Sequence, residues 1–238
     1  MQIYIQKDPA ELGQKAALFA KECLEKAIET HGSARLLMST GASQFLLISA
    51  LLALDIDWSK IEIFHLDEYI GIDETHKASF RKYLKERFVD HISPLAMHYV
   101  EENSIASLNA EVSKRPIDVG LIGIGENAHI AFNDPPADFD CEEPFIVVTL
   151  DEACKMQQVG EGWFATLDDV PKTAVTMTVK QILRCKTILS YVTDKRKALA
   201  IKNTLMQAET PMVPATALKS HEDWHLYLDT ASASEVIV

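Results

Sequence analysis

The strongest constraint in this chain is an alternation of short, largely apolar runs of strand length with segments of helical spacing. The runs are ARLLMS (34–39), KIEIFHL (60–66), IDVGLIGIG (117–125), FIVVTL (145–150), TAVTMTV (173–179) and KTILSYV (186–192). A strand apolar on successive positions is covered on both faces, which is what a parallel sheet between two helical layers requires. Segment 11–30 places Leu12, Ala16, Leu18, Phe19, Cys23, Leu24 and Ala27 close to one helical face and stops at His31-Gly32. Residues 43–54, 79–92 and 194–207 supply the other covering helices. The expected fold is α/β, a single doubly wound, mostly parallel sheet flanked by helices, Rossmann-like. No repeat of roughly 20 to 50 residues and no Gly/Ser-rich or Pro-rich linker divides it, so residues 1–238 read as one domain.

Composition narrows the partners. With 23 Lys and Arg against 35 Asp and Glu, the formal net charge is −12, a field that repels nucleic acid and anionic lipid, so neither is an expected partner. An anionic ligand then needs a local site of backbone amides and a few placed cations. Cys23, Cys141, Cys154 and Cys185 lie far apart without C-x-x-C spacing, which gives no support for a zinc site and fits thiols in a reducing cytoplasm. The N-terminus lacks a secretory pattern and no run approaches the ~18 apolar residues of a membrane span. The expected location is cytoplasmic, and self-association into a homo-oligomer is left open.

In a doubly wound sheet, ligands collect beyond the C-terminal strand ends. The first run opens into Ser39-Thr40-Gly41-Ala42-Ser43-Gln44 and then a helix, a turn whose amides suit a phosphate or serve as an ordinary cap. It matches neither G-x-x-x-x-G-K-[ST] nor G-x-G-x-x-G. The second run ends at His65-Leu66-Asp67-Glu68-Tyr69-Ile70-Gly71, where one carboxylate is either a general base or a cap for the next segment. The third emerges at Gly123-Ile124-Gly125 before Glu126, Asn127, His129, Asn133 and Asp134. With 127–134 as one or two helical turns, His129 and Asn133 share a face, flanked by Asn127 and Asp134. So many polar groups beside two glycines mark a site, and His129 can exchange a proton near neutral pH. Lys195, Arg196 and Lys197 open the 194–207 helix, where cations oppose the macrodipole unless an anionic ligand binds.

These residues carry a resemblance. Ser39-Thr40-Gly41-Ala42-Ser43, Phe64 to Gly71, Gly123 to Pro135 and Val170-Pro171-Lys172-Thr173-Ala174-Val175-Thr176 are similar, in order, to the motifs of the glucosamine-6-phosphate deaminase (isomerase) and 6-phosphogluconolactonase superfamily. The deaminase branch is closer, because lactonases typically have Asp-Glu-Arg and His-Thr-Ala-Ser-Leu-Phe-Pro where this chain has Asp67-Glu68-Tyr69 and His129 to Pro135. The resemblance implies a glucosamine- or galactosamine-6-phosphate deaminase/isomerase of the hydrolase class, acting on a small sugar phosphate without cofactor or metal. It implies that Asp67 removes the C2 proton and that His129 opens the pyranose ring, supported from positions Asn127 and Asp134. Ser39, Thr40, Gly41, Ala42, Ser43 and Lys197 would hold the 6-phosphate. The alternatives are a 6-phosphogluconolactonase-type hydrolase and a non-catalytic sugar-phosphate binding protein.

The chain also departs from that pattern. Asn127 stands where the best-known deaminases have an aspartate, and Asp134 where they have a glutamate. Their phosphate arginine falls at Gly162 in Gly160-Glu161-Gly162-Trp163-Phe164, for which Lys155 is the expected substitute. The basic residues that bind an activating N-acetyl sugar phosphate in regulated members fall near Ile146 and Val148, so no such activation is expected. His221 and WHLYLD (224–229) are expected to close the sheet or reach the site.

Overall fold

The computed structural model describes residues 1–236. Seven parallel strands form the main sheet: β1 (Gln2–Gln6), β2 (Ala34–Met38), β3 (Ile61–His65), β5 (Ala96–His98), β6 (Val119–Leu121), β9 (Thr187–Val192) and β10 (Trp224–Asp229), in the order β1-β10-β9-β6-β2-β3-β5. The expected α/β class is what is observed. Pleating explains the unbroken apolar runs. In β2, Leu36 and Met38 join a core under α1 (Pro9–His31) and α2 (Phe45–Leu52), while Leu37 turns into a second core under α4 (Ile105–Val112) and α7 (Ala198–Met206).

The long helix α1 starts where Asp8 accepts from the Ala10 amide at 2.7 Å with Pro9 in the first turn, and stops where Gly32 takes a left-handed φ of 77°. Its small face of Ala16, Ala17 and Ala20 is fully buried. Gly13 lets α2 approach, since a Cβ there would lie 3.2 Å from the Leu46 carbonyl carbon.

Two strands predicted for the main sheet lie elsewhere. FIVVTL and TAVTMTV become β7 (Phe145–Thr149) and β8 (Thr173–Met177), which with β4 (Asp67–Tyr69) form a separate antiparallel sheet ordered β4-β8-β7. Their apolar runs carry no mark of direction. The three-residue β4 leaves β3 through Leu66, whose carbonyl accepts from Met177 at 3.0 Å, and pairs Asp67 with Thr176. This junction sinks Asp67 between the two sheets.

The strand order reverses between β2 and β6, so the C-terminal ends of β2, β3, β6 and β9 converge there. A cavity of ≈ 330 Å³ opens at that point, a size suited to a small ligand. β10 completes the sheet, but His221 bonds the Cys185 carbonyl at 2.7 Å and is not among the cavity residues.

Candidate active site

The cavity joins the residues from Ser39 to Ser43 with Asp67, His129 and Lys197. Between β2 and α2, Gly41 adopts φ 116° and ψ 159°, a conformation essentially confined to glycine. Tyr83 of α3 (Phe80–Arg87) pins that turn by donating its hydroxyl to the Gly41 carbonyl at 2.8 Å. The N–H groups of Thr40 and Gly41 have no backbone partner among the described residues. Ser39 Oγ is buried and makes no hydrogen bond among the described residues. A cradle of free donors at a helix N-terminus is suited to an oxyanion.

The two carboxylates after β3 have separate surroundings. Glu68 accepts from the Ser79 hydroxyl (2.9 Å) and from the amides of Arg81 (2.8 Å), Tyr69 (3.0 Å) and Phe80 (3.2 Å), so it caps the start of α3. Asp67 is 6% exposed, lines the cavity and has no side-chain hydrogen bond among the described residues. Burial, with the Glu68 charge adding to it, raises its carboxyl well above the usual range. A bare carboxylate of raised basicity facing a cavity is fitted to take a proton from carbon.

The segment expected to be helical from 127 to 134 is instead a pair of tight turns. Ala128 (φ 66°) and Ala131 (φ 51°) are both left-handed, and the Gly125 amide bonds the His129 carbonyl at 2.9 Å. His129 and Asn133 therefore share no helical face. The Asn133 amide donates to the carbonyls of Ile130 (2.8 Å) and Met177 (2.9 Å), fastening the loop to β8 rather than serving the cavity. Glycine is required at 125 because a Cβ would lie 2.2 Å from the His129 ring.

His129, Asn127 and Asp134 form a chain. Asn127 Oδ1 lies 2.5 Å from His129 Nδ1 and also accepts from the His129 amide at 3.1 Å. Asn127 Nδ2 donates to Asp134 Oδ1 at 3.3 Å, which itself lies 3.4 Å from His129 Nδ1. A carboxylate only accepts, so the amide's orientation is fixed, and its oxygen assigns the proton to Nδ1. Nε2 keeps its lone pair. Burial, and then the nearby Lys197 ammonium, lower the imidazole to about 3, so it is neutral at pH 7. Asp134 is raised by burial and by Asp151. Its Oδ2 makes no hydrogen bond of ordinary geometry beside the Cys154 thiol.

Three cations line the cavity: Lys77, Arg196 and Lys197. Lys197 closes the 3₁₀ turn Lys195–Lys197 that leads into α7, and burial lowers its ammonium. Arg196 is already paired with Asp194 and Glu126, each at 3.5 Å. Lys155, the expected substitute for the missing arginine, lies on α5 (Glu152–Gly160) and is not among the cavity residues. Lys77, missed from the sequence, is the lysine that lies beside Gly162 at the cavity. It reaches across the rim from the turn before α3 and donates to the Gly162 carbonyl at 2.7 Å. A lone lysine in a polar stretch gave no signal; only the fold brings it opposite Gly162.

A bare carboxylate and a neutral imidazole lie beside free amides and two lysines at the switch point of a parallel sheet, an arrangement in an α/β protein that suits acid/base chemistry on a small anionic ligand. The family model described as glucosamine-6-phosphate isomerases/6-phosphogluconolactonase matches residues 7–226, and the chain belongs to that family. It is 31% identical to a glucosamine-6-phosphate deaminase of Streptococcus uberis over 99% of this chain and 100% of that protein. Among solved structures it is similar to a monomeric glucosamine-6-phosphate deaminase, with a TM-score of 0.88, 29% identity and coverage of 99% and 100%. A 6-phosphogluconolactonase from Trypanosoma brucei shares the fold at a TM-score of 0.79 and 15% identity, over 99% of this chain and 98% of that one.

Proposed function

We propose that the protein is an amino-sugar-6-phosphate deaminase/isomerase, converting glucosamine 6-phosphate or galactosamine 6-phosphate to the ketose 6-phosphate and ammonia. The observation that carries this reading is the unpartnered Asp67 carboxylate in one cavity with a neutral His129 whose Nδ1 is fixed by Asn127. In this reading the Thr40 and Gly41 amides, the hydroxyls of Ser39 and Ser43, and the ammonium groups of Lys197 and Lys77 hold the phosphate, with Ala42 leaving room for it.

His129 Nε2 takes the proton of the anomeric hydroxyl and returns it to the ring oxygen as the C1–O5 bond breaks. The aldehyde makes the C2–H acidic. Asp67 removes that proton and delivers it to C1, a proton moves from nitrogen to O1, and the C2–N bond becomes an imine. Water adds to the imine carbon and ammonia leaves. The balance takes up one water and releases one ammonia, which is the hydrolytic character proposed for it. Proton transfer by groups so placed contributes about 10² to 10⁴-fold each.

Residues 1–238 acting as one catalytic domain in the cytoplasm are part of the same proposal. The four cysteines are free, and no described helix is long and apolar enough to cross a membrane. The test follows ammonia and ketose phosphate from both amino-sugar phosphates, beside hydrolysis of 6-phosphogluconolactone. Ammonia release lost in Asp67→Asn is expected. Lactone hydrolysis without ammonia release, or binding without turnover of any of the three, overturns the reading.

A further inference from the structure

The cavity holds three carboxylates, and only one of them is available to recognise a cation. Asp194 is held by the Arg196 guanidinium at 3.5 Å and by the Arg196 amide at 3.0 Å. Asp67 has to stay bare to work as a base, and an ammonium group resting on it would lower its basicity. Glu161 is the third. It lines the cavity just after α5, and among the described residues no cation lies within 4.0 Å of its carboxylate.

Neutral donors hold it in place instead. Gln157 Nε2 donates to Oε1 at 2.9 Å and the Trp163 indole N–H to Oε2 at 3.1 Å. One bond to each oxygen fixes the plane of the group, and its charge reaches the Lys197 ammonium only from beyond ion-pair distance. Lys77 stiffens the same turn by bonding the Gly162 carbonyl. The cavity thus has two lysines, Lys77 and Lys197, without an ion pair among the described residues, and one oriented carboxylate besides the base. That set complements a molecule carrying a phosphate and a single ammonium group.

We propose that Glu161 is the specificity residue for the substrate amine, accepting from the C2 ammonium group and setting it apart from a C2 hydroxyl. The proposal rests on the amino-sugar-phosphate reading of the site. A hydroxyl offers a neutral donor to Glu161, whereas an ammonium offers a charge-assisted one, worth on the order of 10 to 100-fold in affinity.

The test needs no turnover. Calorimetry compares two open-chain alditol 6-phosphates, one with an amine and one with a hydroxyl at C2, on the full chain. The wild type should prefer the amine by about 10-fold or more, and Glu161→Gln should bring the ratio to within about twofold by weakening the amine ligand alone. Glu161→Asp should keep part of the preference, because it keeps the charge. A wild-type ratio near one, or equal weakening of both ligands in Glu161→Gln, overturns the role of Glu161 while leaving the sugar-phosphate reading standing. Absence of binding by either ligand, together with no ammonia release, defeats the underlying reading instead. If Glu161→Gln does not fold, Trp163→Phe, which removes one of the two donors, should lower the ratio by a smaller factor, and an unchanged ratio there overturns the proposal.

Discussion

On the β4 side of the cavity two adjacent carboxylates divide completely: Glu68 collects four hydrogen bonds at the start of α3 and Asp67 receives none. On the 123–134 side the polar groups are linked, His129 to Asn127 and Asn127 to Asp134. In the proposed mechanism the first wall makes a base by withholding partners, so that desolvation raises Asp67. In the same mechanism the second makes a proton shuttle by supplying a partner to one ring nitrogen, which sets the tautomer of the other. Reactivity arises from isolation on one side and from orientation on the other.

Removing the isolated carboxylate should have the largest effect. Asp67→Asn is expected to cut ammonia turnover by on the order of 10³-fold, within the range of a positioned general base. Stability moves the opposite way. The folded-state pKa of Asp67 is raised, so its contribution to stability is favourable at low pH and is lost as pH rises through that value. At pH 8 the variant should therefore unfold at equal or higher urea than the wild type. Retained turnover, or a clear loss of stability, would show that Asp67 has a structural partner after all.

Glu68 tests the other half of the same pair. Glu68→Ala leaves the buried amide of Tyr69 and the part-buried amides of Phe80 and Arg81 without an acceptor and should cost about 3 kcal/mol in urea unfolding. The folded fraction should keep most of its turnover. A variant as stable as wild type would mean that the α3 cap is replaceable by water.

Burial lowers two imidazoles to about 3: His129 in the second wall, and His65 at the end of β3, behind the first. For the fully buried His65 the folded value lies below the unfolded one, so its contribution is present above about pH 6.5 and is lost as pH falls toward 3. Between pH 7 and pH 5 that amounts to about 2 kcal/mol. His65→Gln should flatten this part of the acid sensitivity in urea unfolding at the two pH values. An unchanged slope would assign the acid sensitivity to other groups.

What the sequence disclosed follows from the same physics. Strands covered on both faces and the capped α1 were legible because burial and capping leave periodic signals. The 67–69 strand was not, being three residues long, and the direction of β7 and β8 has no compositional trace. Asp67, Asn127, His129 and Asp134 were visible as polar residues at strand ends, with roles drawn from a family likeness. The turns around Ala128 and Ala131 were hidden because alanine gives no warning of a left-handed backbone. Lys77 gained its place from a contact across the rim, which residue spacing along the chain cannot express, whereas Glu161 is held by the neighbouring Gln157 and Trp163 and only the fold turns it to the cavity.

The smallest expected effect concerns the link in the second wall. Asn127 is a bridge, with its oxygen on His129 and its N–H on Asp134, so Asn127→Asp adds a charge that can stabilise an imidazolium but removes the amide donor to Asp134 Oδ1. Two carboxylates that close share a proton rather than both ionise. The gain of the charge and the loss of the Asn127 N–H, with the His129 Nδ1–H still 3.4 Å from Asp134 Oδ1, should nearly cancel, leaving turnover at pH 7.5 within about threefold of wild type. The pH profile is the sharper readout: a carboxylate beside Nδ1 raises the imidazole, so the acidic limb should move to higher pH. Combining Asn127→Asp with Asp134→Asn returns one donor to the pair and should keep that shift while restoring any lost turnover. A fall of 100-fold at every pH in the single variant, unrelieved in the double one, would show that the amide at 127 does more than bridge.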